Sequence, residues 1–179
     1  MNIPIVILLC IMAAIVLLLA IALFMPKSYR TCSEIIINAP KTIVFDYLKH
    51  IKNQDNYNRW VMTDPNMEKD FKGVDGTVGF VYAWNGNKEA GEGEQEITAI
   101  NEGLHLKMVI RFKRPFTGLA SAKMTTKEHQ YEQTKVTWMT SSKMKYPINI
   151  MSPIIVKLLE RDMAKSLLTL KGILEITAA

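Results

Sequence analysis

The chain opens on an unbroken apolar run. From Ile3 to Met25, "IPIVILLCIMAAIVLLLAIALFM", no side chain carries charge, and at 1.5 Å of rise per residue a helix of this length spans the roughly 30 Å hydrocarbon core of a bilayer. A cleavable leader needs a basic start, an apolar core of about 7–15 residues and a small-residue cleavage site. Met-Asn-Ile and "LFMPKS" supply none of these. Residues 1–26 therefore read as a single-pass anchor, with Cys10 as an apolar residue facing lipid. Residues 27–32, "KSYRTC", read as a short polar linker, and 33–179 as one domain.

The pattern beyond the anchor changes period twice. "SEIIINAP" (Ser33 to Pro40) is β-branched and stops at a proline, which predicts a strand. "KTIVFDYLKHI" then sets Ile43, Val44, Tyr47, Leu48 and Ile51 at helical spacing. "KNQDNYNRW" adds a short helical turn or loop. From Asn66 to Lys145 the alternation is of period two, broken by "GVDG", "NGNK", "NEG", "RPFTG" and "YEQT", each with turn chemistry. That predicts six further strands in a meander. Ser152 and Pro153 form a helix start, and Ile155, Leu159, Met163, Leu167, Leu170 and Leu174 make the apolar stripe of a long closing helix.

Strand alternation also assigns faces. Leu104, Leu106, Met108, Ile110 and Phe112 share the apolar side of their strand, and Val136, Trp138, Thr140, Ser142 and Met144 share one side of the last. In "FVYAWNGNKEAGEGEQEIT" the row Phe80, Tyr82, Trp84 is aromatic and the row Glu92, Glu94, Glu96 is acidic. A two-residue turn at Gly86-Asn87 pairs Tyr82 with Gly91 and Phe80 with Gly93, which sends the glutamates to the opposite face. Ile97 and Ala99 lie in the row of Gly91, Gly93 and Gln95, so that row faces inward. The glutamates then face Arg111 and Lys107 on the outside, as ion pairs across a solvated sheet.

Charge adds a second theme. All 22 Lys/Arg and 17 Asp/Glu follow the anchor. Lys27 and Arg30 flank its C-terminal side, and by the positive-inside tendency the domain is expected in the cytoplasm. Lys107, Arg111, Lys113, Arg114, Lys123, Lys127, Lys135, Lys143 and Lys145 fall on the outer face or rims, where a tethered domain meets anionic headgroups. No stacking aromatics interleave with them, so nucleic acid is not an expected partner.

Together, "IIINAPKTIVFDYLKHIKNQDNYNRW", "DPNMEKDFKG", "GTVGFVYAWNGNKEAGEGEQEIT", "FKRPFTG" and "TKVTWMTSSKM" behind an anchor resemble the membrane-anchored bacterial SRPBCC proteins. These are the polyketide cyclase/dehydrase and lipid-transport group of the START and birch-pollen-allergen superfamily. The resemblance covers nearly the whole chain. It implies an α+β helix-grip fold, a curved seven-stranded antiparallel sheet around the long C-terminal helix. It also implies an internal cavity for lipids, polyketides or similar apolar ligands.

Candidate chemistry is correspondingly sparse. The chain has no G-x-S-x-G elbow, phosphate-binding loop, dinucleotide fingerprint or H-E-x-x-H. His50, His105 and His129 are scattered, and Cys32 has no histidine near it in sequence. No catalytic residue, metal ligand or cofactor is assigned. The cavity candidates are Phe80, Tyr82, Trp84, Met108, Ile110, Phe112, Met124, Trp138, Met163 and Leu167. Gly91 and Gly93 are expected to leave space, and Gln95, Thr140, Ser142 and the Tyr82 hydroxyl to orient a ligand. Three readings remain open: a tethered binding module for a lipid or other hydrophobic small molecule, a cyclase or dehydratase acting in the same cavity, and a closed protein-interaction module.

Overall fold

In the computed structural model, which describes residues 3–177, the uncharged run is one helix, α1 (Ile3–Phe24). The outer bounds of the anchor and the domain, residues 1 and 179, lie outside the described residues. Ala22 is the one described residue of α1 that is buried. About 33 Å of apolar helix, at 1.5 Å per residue, thus stands clear of the fold until its last turn. There Asn149 Nδ2 donates to the carbonyls of Ala22 (2.7 Å) and Met25 (3.0 Å). A helix end leaves such carbonyls without intrahelical partners, and Asn149 supplies them from outside.

The first strand, β1 (Ser28–Ile37), starts directly after Met25, Pro26 and Lys27. This corrects the reading of 27–32 as a linker, because Ser28 to Cys32 pair with Lys143 to Met139. That segment lacks apolar alternation because its partner is equally polar there: Thr31 faces Thr140 and Arg30 faces Ser141. Backbone pairing holds it, and Thr31 is buried with its hydroxyl on the Met163 sulfur at 3.4 Å.

After Pro40, α2 (Lys41–Lys49) buries Val44, Phe45 and Leu48, while Ile43 is largely exposed. A 3-10 turn (Ile51–Asn53) leads into α3 (Gln54–Tyr57) and α4 (Arg59–Met62), where the Asn58 side chain caps α4 by accepting from Trp60 N at 3.1 Å. The meander follows as β2 (Glu68–Lys72), β3 (Val81–Asn85), β4 (Glu92–Asn101), β5 (His105–Arg114), β6 (Gly118–Gln130) and β7 (Gln133–Lys143). The antiparallel sheet has the order β1-β7-β6-β5-β4-β3-β2. Irregularities in the β4–β5 register at Glu92/Gly93 and Ile97/Ala99 bend it around its concave face.

A second 3-10 turn (Ile148–Met151) precedes α5 (Ser152–Thr177), which lies along β1. Ser33 Oγ donates to Glu160 O, Lys171 Nζ to Ile36 O, and the Asn38 amide to Glu175 Oε1. The start of α5 therefore sits at the α1 end of the sheet. That end also carries the close of β7, the β5–β6 turn and the β3–β4 loop. Met163, Leu167, Leu170 and Leu174 pack on the concave face against Val136, Trp138, Met124 and Ile37.

One glycine illustrates how tightly sheet and side chains fit. A Cβ at Gly93 would lie 2.6 Å from Arg111 O and 2.7 Å from the Trp84 ring, and the backbone atom cannot move cheaply. Gly93→Ala is expected to cost about 1–3 kcal/mol by overpacking. Gly172 lies exposed inside α5 with open space around it. Gly172→Ala is expected to add about 0.5–1 kcal/mol of stability. Urea denaturation of the detergent-solubilised full chain checks both signs.

Candidate functional site

The β3–β4 hairpin sets which side chains enter the concave space. Tyr82 pairs with Gln95 and Trp84 with Gly93, so the expected pairings of Tyr82 with Gly91 and Phe80 with Gly93 are corrected. The partner of Tyr82 moves four residues, from 91 to 95, and an even slip keeps every side chain on its expected face. The connection is a loop over 86–91 instead of a two-residue turn. Asn87 Oδ1 accepts from the amides of Glu89 and Ala90, Asp64 Oδ2 accepts from the Asn87 amide, and Gly86 N donates to Gly91 O. Gly91 stands at φ +67°, and a Cβ there would lie 2.5 Å from Arg114 O. Its role is a turn and a close backbone approach. Gly93 makes room for the Trp84 indole, not for Phe80 or Tyr82.

The glutamates face outward as expected. Arg111 bridges Glu94 (3.2 Å) and Glu96 (2.7 Å), and Glu92 pairs with Arg114 (2.9 Å) and Lys113 (3.5 Å). Lys107, the other expected partner, lies opposite Ala99. The Arg114 bond holds the Glu92 carboxyl below its ordinary range, with Lys113 helping and partial desolvation opposing.

On the concave side, sheet, α4 and α5 enclose a cavity of about 250 Å³. Of the residues expected from sequence, Tyr82, Trp84, Gln95, Met108, Ile110, Phe112, Trp138, Thr140 and Met163 line it, as do Ala120 and Ala122. Phe80 does not; it is buried and stacks on Phe71 at 6.2 Å. Met124 and Leu167 belong to the closed core beside the cavity. Ser142 turns its hydroxyl to Leu119 O at 2.6 Å. Gly91 and Gly93 take the positions described above.

Sequence reasoning missed the wall formed by Gln54, Asn58, Trp60, Val61 and Met67. It also missed the rim formed by Tyr29, Glu89, Ala90, Arg114, Pro115 and Leu159. Glu89, Phe112, Arg114 and Pro115 are exposed, whereas Tyr82, Gln95, Met108 and Trp138 are buried. The cavity therefore opens at the α1 end of the domain and closes toward its middle.

Two polar features hold the wall in place. Gln54 Oε1 accepts from Asn58 Nδ2 (2.9 Å) and from Gln95 Nε2 (3.1 Å), a buried amide chain that fastens α3 and α4 to β4. Such a chain orders its elements only when its members find partners. The Tyr82 hydroxyl donates to Asp55 Oδ1 at 2.6 Å, and Lys69 Nζ meets Asp55 Oδ2 at 2.7 Å. Burial, reinforced by that bond, holds the Tyr82 phenol well above the ordinary tyrosine range. Burial pushes Tyr57 up likewise. Trp60 and Trp138 meet edge to face at 5.8 Å. Trp138 Nε1 is buried with no hydrogen-bond partner among the described residues.

No family model matches the chain, and no curated relative does. Solved structures do. Truncated norcoclaurine synthase from Thalictrum flavum aligns with TM-score 0.63 at 13% identity, over 83% of this chain and 94% of its own. The same enzyme in complex with dopamine and hydroxybenzaldehyde gives TM-score 0.62 at 13% identity, over 83% and 87%. Ara h 8.0201 aligns at TM-score 0.53 and 15% identity, over 80% of this chain and 98% of its own. A structural-genomics protein of Chromobacterium violaceum gives 0.59 at 12% identity, over 84% and 99%. At such identities the likeness is one of fold. The chain shares with these structures the helix-grip fold, a seven-stranded antiparallel sheet packed on a long C-terminal helix.

Proposed function

We propose that the chain is a membrane-tethered module that holds a lipid or another hydrophobic small molecule between its sheet and α5. The observation that carries this reading is the cavity itself: open at one end and apolar in most of its lining. The volume of about 250 Å³ falls below the roughly 300–1,000 Å³ of sites for drug-sized ligands. It suits a compact apolar molecule or one chain of a lipid. A neighbour of the same fold, norcoclaurine synthase, is in complex with dopamine and hydroxybenzaldehyde, which supports a small organic ligand here. The length and exposed apolar surface of α1 support the tether, and Lys27 and Arg30 beyond it support a cytoplasmic domain.

A cyclase or dehydratase in the same cavity would need a proton donor and acceptor facing the ligand. Tyr82 is the buried ionisable side chain of the lining, and its proton is already given to Asp55 in a hydrogen bond. Its raised pKa leaves it a weak acid at neutral pH. The binding reading therefore accounts for more of the lining than the catalytic one.

Lipid mass spectrometry of the full chain extracted into native nanodiscs is expected to show one enriched apolar species. Ala120→Leu, which fills part of the cavity, is expected to weaken its binding about tenfold or more. An interior that carries no ligand, or binding indifferent to Ala120→Leu, would count against the proposal.

The buried phenols give a second test. Tyr57 and Tyr82 hold their protons in the folded state beyond the ordinary value of 10.0. The stability they contribute is therefore complete below that pH and is lost as pH rises past it. In a near-UV titration of the six tyrosines these two are expected to ionise only as the domain unfolds. Two fewer late-titrating phenols in the Tyr57→Phe/Tyr82→Phe variant identifies them.

A further inference from the structure

The α1 end of the domain carries large apolar side chains that nothing covers. Phe116 in the β5–β6 turn is 73% exposed, and Leu119 just after it 58%. Met151, Ile154 and Leu158, at spacings of three and four, form one exposed stripe on the entry to α5. Soluble surfaces seldom gather such residues without a partner. The far end also exposes apolar side chains, Tyr131 among them, but it lies about 30 Å away along the ten residues of β1.

The tether decides which end meets a bilayer. Only Met25, Pro26 and Lys27 separate α1 from β1, and Asn149 ties the last turn of α1 to the segment just before α5. Charge agrees with geometry. Lys27, Lys143, Lys145 and Lys157 surround this end and form no ion pair among the described residues, a cationic rim suited to anionic headgroups.

We infer that this end of the domain is seated in the bilayer interface, with the β5–β6 turn and the entry to α5 inserted among the lipids. The mouth of the cavity then opens onto the membrane that holds α1, and the ligand passes between bilayer and cavity without crossing water. The inference rests on the tethered-binding reading for the ligand, but the docking is tested independently of it.

The test uses the full chain with Cys10 and Cys32 replaced by alanine, in vesicles of mixed neutral and anionic phospholipid. A single cysteine carries an environment-sensitive fluorophore, and nitroxide-labelled acyl chains serve as quencher. Phe116→Cys and Ile154→Cys are expected to be quenched several-fold more than Tyr131→Cys. Equal quenching at all three positions overturns the docking, as does a blue-shifted but unquenched label at 116 or 154, which means that protein covers the site. Val16→Cys reports separately on α1; if it is not quenched, the tether itself is wrong.

Ligand passage is read with Phe116→Glu/Leu119→Glu, neither residue being part of the cavity wall. Uptake of the copurifying ligand from vesicles is expected to slow roughly tenfold, with its affinity in detergent unchanged. Unchanged uptake overturns direct passage. Absence of binding by the parent chain in detergent instead sinks the binding reading and leaves the quenching result to decide the docking.

Discussion

A parity constraint underlies the cavity. Side chains alternate across a strand, so the aromatic row of β3 and the row of Gln95 and Ile97 share the concave face only if the hairpin pairs even-numbered residues of β3 with odd-numbered residues of β4. One residue more or less in loop 86–91 would put the aromatics and the glutamates on one face, either sending Tyr82 and Trp84 to solvent or turning Glu92, Glu94 and Glu96 into an apolar interior. Both halves of the hairpin resist that slip: the inner rows by burial, the outer row by Arg111, Lys113 and Arg114. The ion pairs are exposed and individually weak. Their value lies in favouring one register over its neighbour.

With the face fixed, the helical wall needs its own anchorage. α3 and α4 are too short to be stable by themselves. Gln54, Asn58 and Gln95 bind them to β4 by side-chain hydrogen bonds, and Tyr82 adds a bond to Asp55 in the first turn of α3. Trp60 is thereby held edge-on to Trp138. These hydrogen bonds set the helical wall against the sheet on which the cavity lies.

Periodicity made the sheet, the closing helix and most of the inward residues legible, because burial on one face writes itself into every second or every third and fourth position. Three features escaped for a common reason. Ser28 to Cys32 form a strand through pairing with β7, which lies more than a hundred residues on. Loop 86–91 takes its shape partly from Asp64, which is remote from the Gly86-Asn87 turn signal. Gln54 and Asn58 look like surface residues until Gln95 is brought to them. In each case the deciding partner is distant in sequence, and polar residues carry no pattern that names a distant partner.

The bond from Asn149 to α1 has a consequence in time. The two carbonyls it meets belong to residues that leave the ribosome more than a hundred positions ahead of it. The apolar helix must therefore settle in its surroundings with that end still open, and the end is closed only when the last strand has been made and the entry to α5 has formed. Whatever orientation this contact gives α1 against the domain can be set only after Asn149 has been made, and a change at Asn149 far along the chain reaches the first helix directly.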